Sequence, residues 1–261
     1  MNGLIPKLFM QAIIYAAGVG MRLKSVFGDR PKLLLEFAGK SLLERHLQCL
    51  REVGIGRLTI VAGYRQELIQ QALPTLRGLY RMEIQQLINP DYTEGSILSL
   101  ATSIPVLQTL ARNQPALLMD GDVLYPAEIL RRLLNSPQPT ALLIDRDYST
   151  ADDDPVLVPI TNGRPFDFIK QWRGAAEQVG ESIGFFKVAP HDLPELISFT
   201  QSLSAGTGRS ASYDEVLRKL VQAGRFGHED VTGLPWTEID FPKDVERAAR
   251  EILPAIERLQ R

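Results

Sequence analysis

Residues 11–23 read QAIIYAAGVGMRL, an apolar run that is followed at once by two glycines and an arginine. The run from Gln11 to Ala16 is typical of a β-strand buried on both faces, as strands are in parallel sheets covered by helices. Gly18 and Gly20 allow the backbone beyond this strand to approach a ligand closely and to turn its N–H groups toward an anion. The stretch therefore predicts the first strand of an α/β sheet with an anion-binding loop directly after it.

The next 130 residues alternate between helix and strand patterns. A helix is expected after Ser41, because Ser41 and Glu44 form a capping-box pattern. Gly54 is expected to end this helix. Further strands are predicted at 57–62, 81–87, 116–119 and 140–144, and further helices at 66–76, 95–103 and 126–134. Repeated β-α-β units predict a three-layer α/β/α, Rossmann-like and mainly parallel sheet. In such sheets ligands bind beyond the carboxyl ends of the strands.

The pattern changes after Asp145. The Asn162-Gly163 pair, between apolar runs at 156–160 and 166–169, favours an inserted β-hairpin. Another apolar run follows at 182–188, and helices are predicted at 193–203, 213–223 and about 243–259. Because no linker or repeat interrupts the chain, we expect one domain over residues 1–261, with an α/β part at 1–145 and a part with the hairpin and C-terminal helices at 146–261.

Composition excludes several classes of protein. The chain has 261 residues, of which 44% are hydrophobic, so it can bury a full core. A net charge of −2 provides no global field for nucleic acid or an acidic membrane. One cysteine and three histidines give neither a disulfide nor a zinc pattern. Since no apolar run approaches the roughly 20 residues of a membrane span, and no signal-peptide cleavage site is apparent, we expect a cytoplasmic protein without membrane insertion.

The loop after the first strand is basic although the chain is slightly acidic. Its only carboxylate is Asp29, and its cations are Arg22, Lys24, Arg30 and Lys32. This local excess of positive charge favours a polyphosphate ligand. A dinucleotide-binding fingerprint fails because Leu23 stands at the position of its third glycine, and a P-loop fails because G-K-[ST] is absent.

Three segments carry a resemblance to a known family. The pattern A-A-G-x-G-x-R-L at 16–23, with P-K-x-L at 31–34, resembles the signature of the nucleoside-triphosphate transferase superfamily. Gly-Asp at 121–122 and Glu-Ile-Asp at 238–240 resemble its metal-binding segments. Within the superfamily, residues 89–100 and 181–187 are most similar to phosphocholine cytidylyltransferase-like proteins.

The resemblance implies a nucleotide-binding part at 1–145 and an acceptor-binding part at 146–261. The implied reaction is transfer of CMP from CTP to a small phosphorylated alcohol such as phosphocholine, with release of pyrophosphate. A phosphate monoester has a second pKa near 6 and is largely ionised at neutral pH, so no general base is required. Accordingly, no chemistry is assigned to the histidines, including His46.

The resemblance also implies roles for single residues. Arg22 would clamp the triphosphate and support the leaving pyrophosphate, and Lys32 would place a charge at the α-phosphate or the incoming phosphate. Asp122 and Asp240 would hold one Mg²⁺, although each could instead cap a helix, and Asp120 is a weaker alternative ligand. The expected nucleotide-binding residues are Ala16, Ala17, Gly18, Gly20, Met21, Gln86 and Ser96.

Acceptor contacts are expected from residues scattered over the second half of the chain and one earlier loop. The candidates are Tyr92, Lys170, Glu181 and Trp236. A quaternary ammonium could be held by aromatic faces such as those of Tyr92, Trp172 or Trp236 through cation–π attraction, although Lys170 and Glu181 could also be ordinary surface residues. The run Asp152-Asp153-Asp154 is interpreted as a solvated turn and not as a metal site.

Two alternatives remain open from the sequence. The first is a sugar-1-phosphate nucleotidyltransferase that uses UTP, dTTP or GTP. The second is a regulatory protein that binds a nucleotide without turnover. The charged face of the C-terminal helix could provide a contact in a homodimer.

Overall fold

A computed structural model describes residues 10–148 and 155–260 of the chain. Residues Gln11–Ala16 form a strand at the predicted position, because their apolar side chains are buried against neighbours on both sides. The strands are β1 (Gln11–Ala16), β2 (Glu36–Phe37), β3 (Lys40–Ser41), β4 (Arg57–Ala62), β5 (Glu83–Ile88), β6 (Ala116–Asp120), β7 (Val123–Leu124), β8 (Ala141–Asp145), β9 (Leu157–Thr161), β10 (Arg164–Pro165), β11 (Gln178–Val188), β12 (Gly227–Asp230) and β13 (Thr237–Glu238). The α-helices are α1 (Lys24–Phe27), α2 (Leu42–Glu52), α3 (Gln66–Tyr80), α4 (Ile97–Thr102), α5 (Ile104–Leu110), α6 (Ala127–Asn135), α7 (Leu193–Leu203), α8 (Asp214–Gln222), α9 (Pro242–Arg247) and α10 (Leu253–Leu259).

The described residues form one nine-stranded sheet with a parallel centre, in the order β6-β1-β4-β5. The long strand β11 runs antiparallel to β6, β8 and β9, and β12 pairs with β8 in parallel. Helices α2, α3 and α6 cover one face, and α4, α5, α7 and α8 cover the other. The predicted three-layer α/β/α fold with a mainly parallel central sheet is therefore confirmed.

Several local predictions are also confirmed. Helix α2 begins with the capping box, since Glu44 N–H donates to Ser41 Oγ over 3.2 Å and Ser41 N–H donates to Glu44 Oε2 over 2.8 Å. The hairpin between β9 and β10 turns at Asn162 and Gly163, whose φ angles of 52° and 69° are those of a type I′ turn.

Other boundaries were predicted wrongly. The hairpin's second strand is Arg164–Pro165 and not 166–169, of which only Ile169 pairs with Leu157. The final helix, by contrast, covers the predicted range, with a π-helical turn at Ala248–Ile252 between α9 and α10. The helix predicted at 95–103 is α4, and the chain continues directly into α5, which has a proline in its first turn. Strand β12 was not predicted.

A third, smaller core joins the C-terminal helices to the loops at the edge of the sheet. It is formed by Leu23, Leu124 and Ile239 together with apolar residues of α2, β2 and the C-terminal helices. Within the described residues, no helix is long and apolar enough to cross a bilayer. The run Asp152-Asp153-Asp154 lies outside the described residues.

Candidate active site

Strands β1 and β6 are parallel neighbours, so the carboxyl ends of both strands lie at the same edge of the sheet. A cleft of about 760 Å³ opens at this edge, and a second cavity of about 350 Å³ adjoins it beside the glycine loop. The two cavities share Gly18, Arg22, Asp122 and Asp240. The ends of β1 and β6 thus bring together the basic loop and the predicted metal-binding carboxylates, as expected for a ligand site in a parallel sheet.

The glycine loop closes over Lys32. Gly20 has a φ of 61°, in the left-handed region that favours glycine, and a Cβ atom there would lie 3.0 Å from Cγ of Lys32. Met21 and Arg22 then form a single 3₁₀ turn with Leu23. Arg22 is exposed, with its guanidinium carbon 4.6 Å from the centre of the Phe241 ring and its Nη1 3.7 Å from Oδ2 of Asp240. The loop therefore exposes the guanidinium of Arg22 and covers the side chain of Lys32.

Lys32 lies between the two predicted metal ligands. Its Nζ donates to Oδ2 of Asp122 and to Oδ1 of Asp240, each over 2.5 Å. Burial by itself lowers the pKa of Lys32, but the two carboxylates outweigh burial and raise that pKa above its ordinary value. Lys32 is therefore a fixed positive charge in the smaller cavity, beside the glycine loop.

The sequence allowed Asp122 and Asp240 to be helix N-caps, but neither residue caps a helix in the structure. The N-cap of α6 is Pro126, and the side chain of Asp122 is bound to Lys32. At the start of α9 the capping carboxylate is Asp244, whose Oδ2 accepts from the backbone N–H groups of Asp240 and Phe241. Asp244 thereby fixes the backbone of Asp240, and the carboxylate of Asp240 is bound to Lys32.

Glu238 joins the two aspartates in an acidic cluster. One carboxylate oxygen from each of Asp122, Glu238 and Asp240 lies within 4.8 Å of the others. Desolvation within the cleft and the charge of Asp122 raise the pKa of the Glu238 carboxyl, although part of this side chain is open to solvent. Three carboxylate oxygens form a donor set that suits a hard divalent cation such as Mg²⁺. Glu238 was not predicted from the sequence, but residues i and i+2 of an extended segment share a side, and this spacing from Asp240 was an available signal.

The third core holds these charged residues in place. Leu23 follows Arg22, Leu124 lies two residues after Asp122, and Ile239 precedes Asp240 in the chain. The short strands β7 and β13 also pair in antiparallel fashion, and the Ile239 N–H donates to the carbonyl of Asp122 over 2.9 Å. Burial of apolar neighbours thus fixes the backbones of residues that are far apart in sequence.

A second group of polar residues lines the cleft on the α4 and α8 side. Ser96 Oγ accepts from the backbone N–H of Tyr213 over 3.0 Å, and the Tyr213 hydroxyl donates to Oδ1 of Asp120. Burial and the nearby charge of Asp122 raise the pKa of Asp120 well above its ordinary value. Asp120, the alternative metal ligand, is not part of the described acidic cluster, and its carboxylate is hydrogen-bonded to Tyr213.

The opposite end of the cleft contains three of the four acceptor candidates. Trp236, Lys170 and Glu181 line it, and Trp236 Nε1–H donates to Oδ2 of Asp145 over 2.7 Å. Two residues that were not predicted, Asp147 and Tyr148, line the same wall, as does Arg247 of α9. This end of the cleft therefore combines carboxylates, the cations Lys170 and Arg247, and an aromatic ring.

Two predicted residues do not reach the cleft. Gln86 donates from Nε2 to the backbone carbonyl and to Oε1 of Gln66, both over 3.0 Å, so its side chain lies against α3. Tyr92 packs on Gly63, where an added Cβ would lie 2.5 Å from Cβ of Tyr92, and its ring contacts that of Tyr64. The other expected nucleotide-binding residues all line one of the two cavities: Ala16, Ala17, Gly18, Gly20, Met21 and Ser96.

The parallel sheet, the basic glycine loop and the carboxylates beyond β6 and β13 define a nucleoside-triphosphate transferase. In agreement, the family described as MobA-like NTP transferase domain matches residues 12–196. The chain belongs to this family.

Several related proteins match this sequence over most of the chain. CTP:phosphoglutamine cytidylyltransferase of Campylobacter jejuni is 24% identical and covers 91% of this chain and 98% of its own length. CMP-5'-(3-aminopropyl)phosphonate synthase of Streptomyces rubellomurinus is 27% identical, but this chain spans only 38% of that protein. The bifunctional IPC transferase and DIPP synthase of Rubrobacter xylanophilus is 29% identical, and this chain spans 52% of it.

One solved structure gives the same picture of the fold. The inositol-1-phosphate CTP transferase from T. maritima superposes with a TM-score of 0.76 at 25% sequence identity. The match covers 95% of this chain and 96% of that protein. The fold of that transferase is therefore shared along nearly the whole chain.

Proposed function

We propose that this protein is a cytidylyltransferase that transfers CMP from CTP to a small phosphate- or phosphonate-bearing acceptor and releases pyrophosphate. The observation that carries the proposal is the position of Lys32, 2.5 Å from both Asp122 and Asp240, in a cleft walled by the glycine loop. The names of the relatives from Campylobacter jejuni and T. maritima support CTP as the nucleotide.

The reaction requires little acid–base chemistry. An oxygen of the acceptor's phosphate attacks the α-phosphorus of CTP, and the bond from that phosphorus to the α,β-bridging oxygen breaks. Pyrophosphate leaves with the electron pair of the broken bond. Since the attacking oxygen is already ionised at neutral pH, the protein has to align two polyanions and stabilise the charge that develops on the phosphoryl oxygens.

Cations of the glycine-loop region are suited to this task. Arg22 has an exposed planar guanidinium that can bind two phosphate oxygens at once and support the leaving pyrophosphate. Lys32, held by Asp122 and Asp240 in the smaller cavity, supplies a charge for the α-phosphate or the incoming phosphate. Ala16, Gly18 and Gly20 line the same cavity, and the backbone of this loop offers N–H groups to the phosphates.

The acidic cluster fits a divalent cation, and we propose that it holds one Mg²⁺. Asp122, Glu238 and Asp240 would be its protein ligands. When bound, the cation would neutralise charge on phosphate oxygens during transfer.

The acceptor end of the cleft favours an alcohol phosphate with a cationic group. Three carboxylates, those of Asp145, Asp147 and Glu181, outnumber the two cations Lys170 and Arg247 there. Trp236 provides an aromatic face whose position is fixed by its hydrogen bond to Asp145. An ammonium or quaternary ammonium group is attracted by both features. Phosphocholine and phosphoethanolamine are acceptors of this kind.

A sugar-1-phosphate nucleotidyltransferase is the second candidate. A bifunctional GlmU protein from Burkholderia ambifaria is 31% identical over 86% of this chain, but this chain spans only 44% of that protein. The acidic wall around Asp145 and Asp147 does not favour a neutral hexose over a cationic alcohol. A regulator without turnover is disfavoured because the cationic loop and the acidic cluster lie together where the two cavities adjoin.

The test is release of pyrophosphate from each of CTP, UTP, dTTP, GTP and ATP. Each nucleotide is paired with phosphocholine, phosphoethanolamine, 2-aminoethylphosphonate, inositol-1-phosphate and glucose-1-phosphate, with Mg²⁺ and with EDTA. We expect turnover with CTP and a cationic acceptor, its loss with EDTA, and formation of the matching CDP- or CMP-linked product by mass spectrometry. Turnover with UTP, dTTP or GTP and glucose-1-phosphate would establish the sugar reaction instead.

A matched pair of lysine variants controls for nonspecific effects. Lys32→Met should abolish turnover, whereas Lys40→Met should leave it unchanged because Lys40 is exposed and bonded only to Gln48 among the described side chains. Turnover by Lys32→Met at the wild-type rate would remove the basis of the proposal.

A further inference from the structure

His46 is buried beneath the edge of the sheet where the acidic cluster lies. Its side chain is 0% exposed, on the face of α2 that packs against the sheet. Nε2 lies 3.2 Å from the carbonyl oxygen of Gly121, and Nδ1 lies 3.1 Å from the hydroxyl oxygen of Tyr125. Both ring nitrogens therefore have partners in the segment that follows β6.

These partners determine the tautomer. A backbone carbonyl can only accept, so the proton is on Nε2 and is donated to Gly121. Nδ1 then accepts the hydroxyl hydrogen of Tyr125. Burial lowers the pKa of His46 to about 4, so the ring is neutral at physiological pH and this arrangement persists.

Gly121 is held on its other side by β1. Its N–H donates to the carbonyl of Tyr15 over 3.1 Å, and an added Cβ would lie 3.0 Å from that same carbonyl oxygen. The next residue is Asp122, and the peptide that joins the two contains the carbonyl bound by His46. This peptide plane fixes the positions of N and Cα of Asp122, from which its side chain leaves the backbone.

We infer that His46 is a positioning residue for the reaction proposed above: by binding the Gly121 carbonyl, it fixes the Asp122 carboxylate beside Lys32, Glu238 and Asp240. The inference rests on the proposed function for its kinetic consequence. Its consequence for cation binding can be measured without turnover. Groups that orient a metal ligand from outside the coordination sphere commonly change metal affinity or activity by about 10- to 100-fold when they are removed.

Three variants separate positioning from bulk stability. His46→Leu fills the site but cannot donate to Gly121. His46→Gln restores an amide N–H donor and a carbonyl acceptor on a side chain of similar reach. Leu47→Ala, next to it in α2 and also 0% exposed, destabilises the same helix but leaves the hydrogen bond from His46 to Gly121 in place.

The first readout is Mn²⁺ affinity, measured by electron paramagnetic resonance with a non-reacting CTP analogue and no acceptor. We expect His46→Leu to bind Mn²⁺ about tenfold more weakly than wild type, and His46→Gln and Leu47→Ala to remain within about threefold of it. The second readout is steady-state kinetics, in which His46→Leu should lower kcat with little change in the KM for CTP, and His46→Gln should restore kcat.

The outcomes are distinguishable. If wild type shows no turnover with any nucleotide and acceptor, the proposed function fails, and the Mn²⁺ data still decide the role of His46. If folded His46→Leu binds Mn²⁺ like wild type, or if Leu47→Ala weakens binding equally, His46 is only a packing residue. Should His46→Leu not fold, Tyr125→Phe is the substitute, since it removes the hydroxyl that orients the ring; we expect weaker Mn²⁺ binding, and unchanged binding would overturn the inference.

Discussion

The ammonium nitrogen of Lys32 lies 2.5 Å from Oδ2 of Asp122, across 90 residues of sequence. It lies at the same distance from Asp240, so one lysine bridges two carboxylates that we propose as metal ligands. A divalent cation at the acidic cluster would compete with Lys32 for these oxygens. Cation binding would then free the lysine's hydrogen bonds for phosphate, which couples occupancy of the cluster to the charge offered to the substrate.

This relationship predicts how stability responds to Lys32→Met. The change leaves Asp122, Glu238 and Asp240 without their shared counter-charge, so we expect a loss of stability on the order of 2 kcal/mol, less than for a fully buried pair because these groups are partly exposed. Mg²⁺ should restore more stability to this variant than to wild type, since the cation replaces the missing charge. Thermal unfolding with and without Mg²⁺ measures both effects.

The control for this prediction is Lys24→Met. Lys24 is exposed and pairs with Asp29, away from the acidic cluster. Its stability should change little, and its response to Mg²⁺ should equal that of wild type. An equal Mg²⁺ response in Lys32→Met and Lys24→Met would show that the carboxylates do not bind the cation.

Glu238→Gln tests the ligand that the sequence analysis missed. Replacing one of three carboxylates by an amide removes a charged oxygen from the cluster, so we expect about a tenfold or greater rise in the Mg²⁺ concentration that gives half-maximal turnover. Titration of the rate with Mg²⁺ provides the measurement, and Glu246→Gln, on the exposed side of α9, is the control. If both variants titrate like wild type, Glu238 is not a ligand.

The centre of the fold could be predicted because its signals are local. The apolar run of β1 and the glycines after it specify a buried strand and a loop without reference to distant residues. Strand β12, by contrast, has the sequence Gly-His-Glu-Asp, which lacks apolar alternation. It is a strand because it pairs with β8, and that pairing depends on tertiary structure.

The site residues that lie in recognisable sequence motifs could be predicted. Lys32, Asp122 and Asp240 lie in patterns that can be read from the chain, and the structure brings them together. The placement of Gln86 could not be read, because which face of β5 meets α3 is decided by packing. His46 gave no signal at all, since its partner carbonyl is 75 residues away.

The buried imidazole of His46 predicts a pH dependence of stability. Its pKa falls from 6.5 to about 4 on folding, so between these values the unfolded chain binds a proton that the native protein does not. The free energy of unfolding should therefore decrease as the pH is lowered from about 6.5 to about 4, by up to about 1.4 kcal/mol per pH unit from this group. Above pH 6.5 its contribution is constant.

Urea unfolding at several pH values measures this dependence, and His46→Gln supplies the comparison. Carboxylates titrate in the same range in both proteins, so only the difference between the two curves reports His46. We expect wild type to lose stability more steeply than His46→Gln on acidification. Parallel curves would mean that the imidazole titrates alike in the folded and unfolded states.

Trp236→Leu tests the acceptor end of the cleft. The change removes the aromatic face and the hydrogen bond to Asp145, so the KM for phosphocholine should rise about 3- to 30-fold, in line with about 0.5–2 kcal/mol for a cation–π contact. The KM for CTP should not change, and an acceptor without a cationic group should be affected little. Trp172→Leu is the matched control, because Trp172 packs edge-on against Phe166 and does not line the described cleft. Equal increases in KM for cationic and neutral acceptors would show that Trp236 shapes the cleft without recognising an ammonium group, and the proposed preference for a cationic alcohol phosphate would then be wrong.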